Sequence, residues 1–142
     1  LSPPKKSAAL GRLLGGNLSM IISLMGTPFQ PNLTNHIVFF EEVSEEPYRI
    51  DRMLTQLKLA GVFQKARAMI IGSFIDCVPL DKTRPTLTID ELLHEITKDL
   101  TIPVLAGLAY GHMPRKLTLP LGLKVQVDSR LGTLEFLESP VR

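Results

Sequence analysis

The run Ile37-Val38-Phe39-Phe40 carries four apolar side chains with no polar residue between them, and Glu41 and Glu42 follow at once. Successive side chains of a strand face opposite sides, so an unalternated run predicts a strand covered on both faces, as in the middle of a parallel sheet. Ala68 to Phe74, AMIIGSF, is a second such run, and Pro103 to Ala109 a third, ending in Tyr110, Gly111 and His112. Ala8 to Leu14 is a shorter apolar segment, and the Gly15-Gly16-Asn17 that follows predicts a tight turn and a helix N-cap. Such a turn can hold an anion on its backbone N–H groups or simply let strand and helix pack closely.

Between these runs the apolar spacing changes to that of helices. Leu18, Ile21, Ile22 and Met25 recur on one face, with Gly26, Thr27 and Pro28 as the stop. Ser44, Glu45, Glu46 and Pro47 make a helix start, because acids suit the positive dipole end and proline fixes φ where no N–H is needed. Ile50, Met53, Leu54 and Leu57 form the stripe that this helix buries, Gly61 ends it, and Arg49, Asp51 and Arg52 fall off the stripe. Cys77 to Thr86 reads as loop; Thr88 and Glu91 then form a capping box ahead of Ile89, Leu92, Leu93 and Ile96, with His94 on the outer side. The remainder alternates: Lys124 to Asp128, a turn at Ser129 to Gly132, and Thr133 to Leu137 predict an antiparallel hairpin with one wet face. The sum is an α/β domain with a mainly parallel central sheet, helices, and an antiparallel layer added near the C-terminus.

Composition narrows the class. A chain of 142 residues, 44% hydrophobic, can bury one core of useful size, so residues 1–142 read as a single domain. The net charge is +2 and the cations are dispersed among acids, which argues against nucleic acid as a partner. No apolar run approaches the roughly 20 residues of a membrane span, and there is no signal-peptide pattern. The lone Cys77 allows no internal disulfide and no CxxC metal site, which fits a cytoplasmic setting. The opening LSPPKKS, without an initiator Met, reads as linker over residues 1–7 and the chain as a piece of a longer protein.

The candidate chemistry sits where strands end. Ligands and catalytic groups collect at the carboxyl edge of open α/β sheets, and there the sequence puts Glu41 and Glu42 after one strand and His112 after another. A partly desolvated carboxylate needs a donor, and a carboxylate on one imidazole nitrogen fixes the tautomer and favours the imidazolium formed when the other nitrogen accepts a proton. That is the orienting half of a hydrolytic triad, although His112 could equally be structural. No nucleophile completes it: none of the serines at 2, 7, 19, 23, 44, 73, 129 and 139 stands in a GxSxG elbow, and Cys77 lacks a context that would lower its pKa. His36, His94 and His112 show no metal-ligand spacing.

The segments GRLLGGNLSMIISLMGTP, IVFFEEVSEEPYRIDRMLTQLKLAGVF, AMIIGSF and PVLAGLAYGHMPRKLTLPLG, in this order, closely resemble the C-terminal domain of the bacterial LD-carboxypeptidases, a serine peptidase family that also contains microcin-immunity hydrolases. The resemblance runs from about Leu10 to the C-terminus and is most specific in GGNLS, the FFEE-to-PYRIDRML block and GHxxxxxTLPLG. It implies a swivelling β/β/α fold and a two-domain enzyme with a Ser-Glu-His triad, whose serine lies in an N-terminal domain absent from this chain. By motif the histidine is His112 and the acid Glu41, with Glu42 as the alternative, since adjacent residues point to opposite faces. The implied reaction releases terminal D-alanine from a cytoplasmic murein tetrapeptide in peptidoglycan recycling, with no metal or organic cofactor, in a homodimeric full-length protein. PYRIDR favours this branch over the immunity hydrolases of acyl adenylate analogues; a non-catalytic binding domain of the same fold is the reading from another class. Arg49, Asp51 and Arg52 would either shape the grip on substrate or brace their helix.

Overall fold

The computed structural model describes residues 7–81, 83 and 85–141. Most of the linker expected over residues 1–7 therefore lies outside the described residues, as do Lys82 and Arg84 of the loop after Cys77; Ser7 itself accepts backbone and hydroxyl bonds from Ser129. Six strands form one sheet: β1 (Ala8–Asn17), β2 (His36–Val43), β3 (Ala68–Ile75), β4 (Val104–Ala106), β5 (Lys124–Asp128) and β6 (Thr133–Phe136). Their order is β4-β3-β2-β1-β5-β6; β1 to β4 run parallel, while β5 pairs antiparallel with β1 and β6 with β5. The antiparallel addition thus extends the sheet past β1.

β2 lies between β1 and β3 and is covered on both sides, as its unbroken apolar run requires. Val38 and Phe40 join a core built with α1 (Leu18–Leu24), α2 (Pro47–Leu59), α3 (Val62–Lys65) and α4 (Ile89–Thr97). Ile37 and Phe39 join a second, smaller core on the opposite face, closed by Leu105, Leu119, Val125 and Val127. There the Tyr110 ring stands edge-on to Phe39, with centroids 5.0 Å apart. No helix among the described residues is long and apolar enough to cross a membrane.

The helices start as the sequence indicates. Asn17 caps α1 by accepting from the Met20 N–H at 3.1 Å, and Pro47 opens α2, whose buried stripe is Ile50, Leu54 and Leu57. The capping box at α4 is complete, with the Glu91 carboxylate accepting from the Thr88 N–H at 2.8 Å and the Thr88 hydroxyl accepting from the Glu91 N–H at 3.2 Å. The Thr88 N–H and the Thr88 hydroxyl, which donates to the same carboxylate oxygen at 2.9 Å, hold the Glu91 carboxyl below the usual carboxylate range.

Three details differ from the sequence expectation. Gly15 and Gly16 make no turn; they continue β1, where a Cβ on Gly15 would lie 2.0 Å from the Phe39 carbonyl oxygen, so the glycine permits close strand pairing. β4 stops at Ala106, because the N–H groups of Gly107 and Leu108 both turn back to the Ile71 carbonyl, and residues 107–123 cover the second core as a loop. Gly61 ends α2 but also opens the short α3, which the apolar periodicity did not show.

Two substitutions test this account by urea unfolding. Gly15→Ala is expected to cost about 3 kcal/mol through the forced contact with β2. Thr88→Ala, which removes only a cap, should cost about 1 kcal/mol. A Gly15→Ala midpoint equal to that of the unmodified chain would contradict the packing described for β1.

Candidate active site

At the carboxyl edge of the sheet the two halves of the sequence candidate meet. The Glu41 carboxylate Oε2 lies 2.9 Å from Nδ1 of His112, 71 residues later. An ionised carboxylate only accepts, so Nδ1–H is the donor and Nε2 is left free to exchange protons with a reactant. Exposure divides the roles: Glu41 is 3% exposed, whereas the His112 side chain keeps 55% of its surface in solvent. The acid is held inside the sheet edge and the ring stands open to solvent.

Local backbone geometry sets this contact. Phe40 pairs with Ile71 and Glu42 with Phe74, so a single residue of β2, Glu41, faces two of β3, Gly72 and Ser73. Such a bulge breaks the ladder and frees donors to reach elsewhere. Ser73 uses both of its donors on one acceptor, its N–H and its Oγ–H reaching the Tyr110 carbonyl at 2.9 and 2.7 Å. That carbonyl lies two residues before His112, so the bulge beside the acid also anchors the loop that carries the imidazole. Gly111, between them, has φ of 126°, and a Cβ there would lie 2.8 Å from Glu41 Oε2 and 2.3 Å from Ser73 Oγ. Only glycine allows the ring to come this close to the acid.

Glu42, the alternative acid, faces the helical side of the sheet, where its neighbours in parity, Val38 and Phe40, also point. It is 2% exposed and fully engaged: Oε1 accepts from Asn17 Nδ2 at 2.7 Å and from the Val43 N–H at 3.0 Å, and Oε2 from the Ser19 N–H at 2.8 Å and Oγ at 2.6 Å. It joins the end of β2 to the β1–α1 junction and does not meet His112. The sequence reading missed this role, yet a signal was present. Two adjacent buried acids on opposite faces need two partners, and GGNLS supplies the second set.

The other candidates separate. His36 sits at the amino end of β2 with Nδ1 2.8 Å from the Thr34 carbonyl, and His94 is exposed on α4. Among the described residues no cluster of His, Cys, Asp and Glu could hold a metal ion. Cys77 is 6% exposed, and burial pushes its thiol up, away from the thiolate that a nucleophile needs. No serine hydroxyl among the described residues bonds to His112. Arg49 pairs with Glu45 at 3.7 Å, and the guanidinium carbons of Arg49 and Arg52 lie 5.8 and 5.6 Å from the exposed Tyr48 ring. Beside His112 opens a cleft of about 380 Å³, lined by Glu41, Tyr110 to His112 and Lys116 to Leu119.

Known proteins resemble this chain in sequence and in fold. A probable murein peptide carboxypeptidase of Bacillus subtilis is 36% identical over 121 residues, covering 85% of this chain and 38% of the relative. The microcin C7 self-immunity protein MccF of Escherichia coli is 37% identical over 121 residues, 83% of this chain and 34% of MccF. Among solved structures, a muramoyltetrapeptide carboxypeptidase from Oxalobacter formigenes superposes with a TM-score of 0.80 at 35% identity, covering 91% of this chain and 45% of that one. MccF in its wild-type apo state gives a TM-score of 0.81 at 30% identity, covering 96% and 40%. The chain thus spans less than half the length of the relatives it matches. Residues 10–127 match the family described as the LD-carboxypeptidase C-terminal domain, and the chain belongs to that family.

Proposed function

We propose that this chain supplies the acid–base half of a serine-type LD-carboxypeptidase that removes terminal D-alanine from murein tetrapeptide in cytoplasmic peptidoglycan recycling. The observation that carries this reading is the bond from exposed His112 to buried Glu41. A serine of an N-terminal domain outside this chain attacks the carbonyl that joins the L-centre of the diamino acid to D-alanine, while His112 Nε2 takes the hydroxyl proton. The tetrahedral intermediate collapses, Nε2–H gives that proton to the leaving amine, and D-alanine departs. Water, deprotonated by the same nitrogen, attacks the acyl-serine ester, and Nε2–H returns the proton to the departing serine oxygen as the shortened peptide leaves. Glu41 stays ionised throughout, holding Nδ1–H and stabilising the imidazolium.

A second reading, hydrolysis of acyl adenylate analogues, is favoured by the equal likeness to MccF structures, one of which is a complex with aspartyl sulfamoyl adenosine. The whole protein, nucleophile domain included, is expected to release D-alanine from murein tetrapeptide; cleavage of aspartyl sulfamoyl adenosine alone would favour the second reading.

The two acids give opposite signatures. In the whole protein, His112→Ala and Glu41→Gln are each expected to lower kcat by on the order of 10³- to 10⁴-fold, and His112→Ala should also lower stability to urea, by about 1–3 kcal/mol, because it leaves the buried Glu41 carboxylate without its donor. Glu42→Ala leaves the donors of Asn17 and Ser19 without their acceptor and should instead cost about 2–4 kcal/mol of stability. Full turnover in Glu41→Gln, or a drop in kcat for Glu42→Ala as large as for Glu41→Gln, would reverse the assignment.

A further inference from the structure

We propose that Lys116 is the anchor for the free α-carboxylate of the departing amino acid, and so the residue by which this chain favours an exopeptidase substrate. The inference rests on the function proposed above and adds a binding site to it. If His112 protonates the leaving amine, that nitrogen comes within about 3 Å of the ring. The α-carboxylate shares a Cα with the amine, so its oxygens lie within about 4 Å of the amine. Whatever recognises the carboxylate must therefore work in the immediate surroundings of His112, and on this chain that space is the cleft beside the ring.

The electrostatics of the cleft demand a cation. Its buried wall contains the Glu41 carboxylate, so an incoming anion would be repelled without a positive charge opposite. Among the described residues that line the cleft, Lys116 is the cation. It is also uncommitted: exposed Arg12, Arg49 and Lys98 have carboxylate neighbours in Glu138, Glu45 and Glu95, but no described carboxylate pairs with Lys116.

The backbone holds the lysine in register with the ring. The Leu117 N–H donates to the Ala109 carbonyl at 2.8 Å, closing a loop with His112 near its middle and Lys116 at its base. Ser73 ties the same loop to the sheet at Tyr110, and the Lys116 end is joined to that anchored end through Ala109. On that fixed backbone, the four-carbon stem can swing a strongly hydrated ammonium to a carboxylate without a bidentate geometry. Leu117 and Leu119 also line the cleft and give it apolar surface.

The test uses the whole protein with two tetrapeptides, one ending in D-alanine and one in D-alaninamide, so that only the terminal charge differs. The unmodified protein is expected to prefer the acid in kcat/KM by on the order of 10- to 100-fold, chiefly through KM. Lys116→Met should bring the ratio close to one, and Lys116→Arg should keep most of it. An undiminished preference in Lys116→Met, or no preference in the unmodified protein, would overturn the assignment while leaving the carboxypeptidase reading intact. Failure of the unmodified protein to cleave either peptide would overturn the functional reading and this inference with it.

Discussion

A carboxylate almost sealed from water must meet a donor, and Glu41 meets the ring nitrogen of His112. Much of the surrounding architecture exists to make that meeting possible. The unalternated strand drives its end into the interior, the bulge in β3 leaves Glu41 facing two residues, and Ser73 ties the histidine loop to that bulge through one carbonyl. Gly111 removes the side chain that would hold ring and acid apart. Each is a local backbone matter, and together they fix one hydrogen bond between groups far apart in sequence.

The same strand end shows why two identical acids have different work. On the helical face Glu42 receives four donors from β1, α1 and its own strand, more than a group that must tune a neighbour's protons could spare. On the other face Glu41 is bound by a ring that remains open to solvent. Parity along an extended backbone thus turns one dipeptide into a structural clamp on one face and the partner of an exposed imidazole on the other, joined by a single peptide bond.

Parts of this were legible in the sequence because they depend on local patterning. Ile37 to Phe40 declared a central strand, Thr88 and Glu91 a capping box, and KVQVD one arm of an antiparallel hairpin, since each is set by burial period or cap chemistry. The pairing of Glu41 with His112 could be reasoned only as far as a shared sheet edge; the family resemblance supplied the choice of residues. What stayed hidden depends on tertiary approach. Gly15 looked like a turn because nothing local reveals that Phe39 packs against its backbone. The bulge at Gly72-Ser73 leaves no periodic trace, and Pro103 to Ala109 read as one strand although only Val104–Ala106 pairs. Likewise Lys116 is unremarkable in the sequence and gains meaning only beside the cleft.

The central claim concerns the direction of one hydrogen bond, and the ring itself reports it. Nitrogen-15 NMR of His112 in the neutral state is expected to show the Nδ1–H tautomer, with Nε2 bare, and Glu41→Ala should move the proton to Nε2, as in free histidine. An Nε2–H tautomer in the unmodified chain, or a tautomer indifferent to Glu41→Ala, would contradict the account.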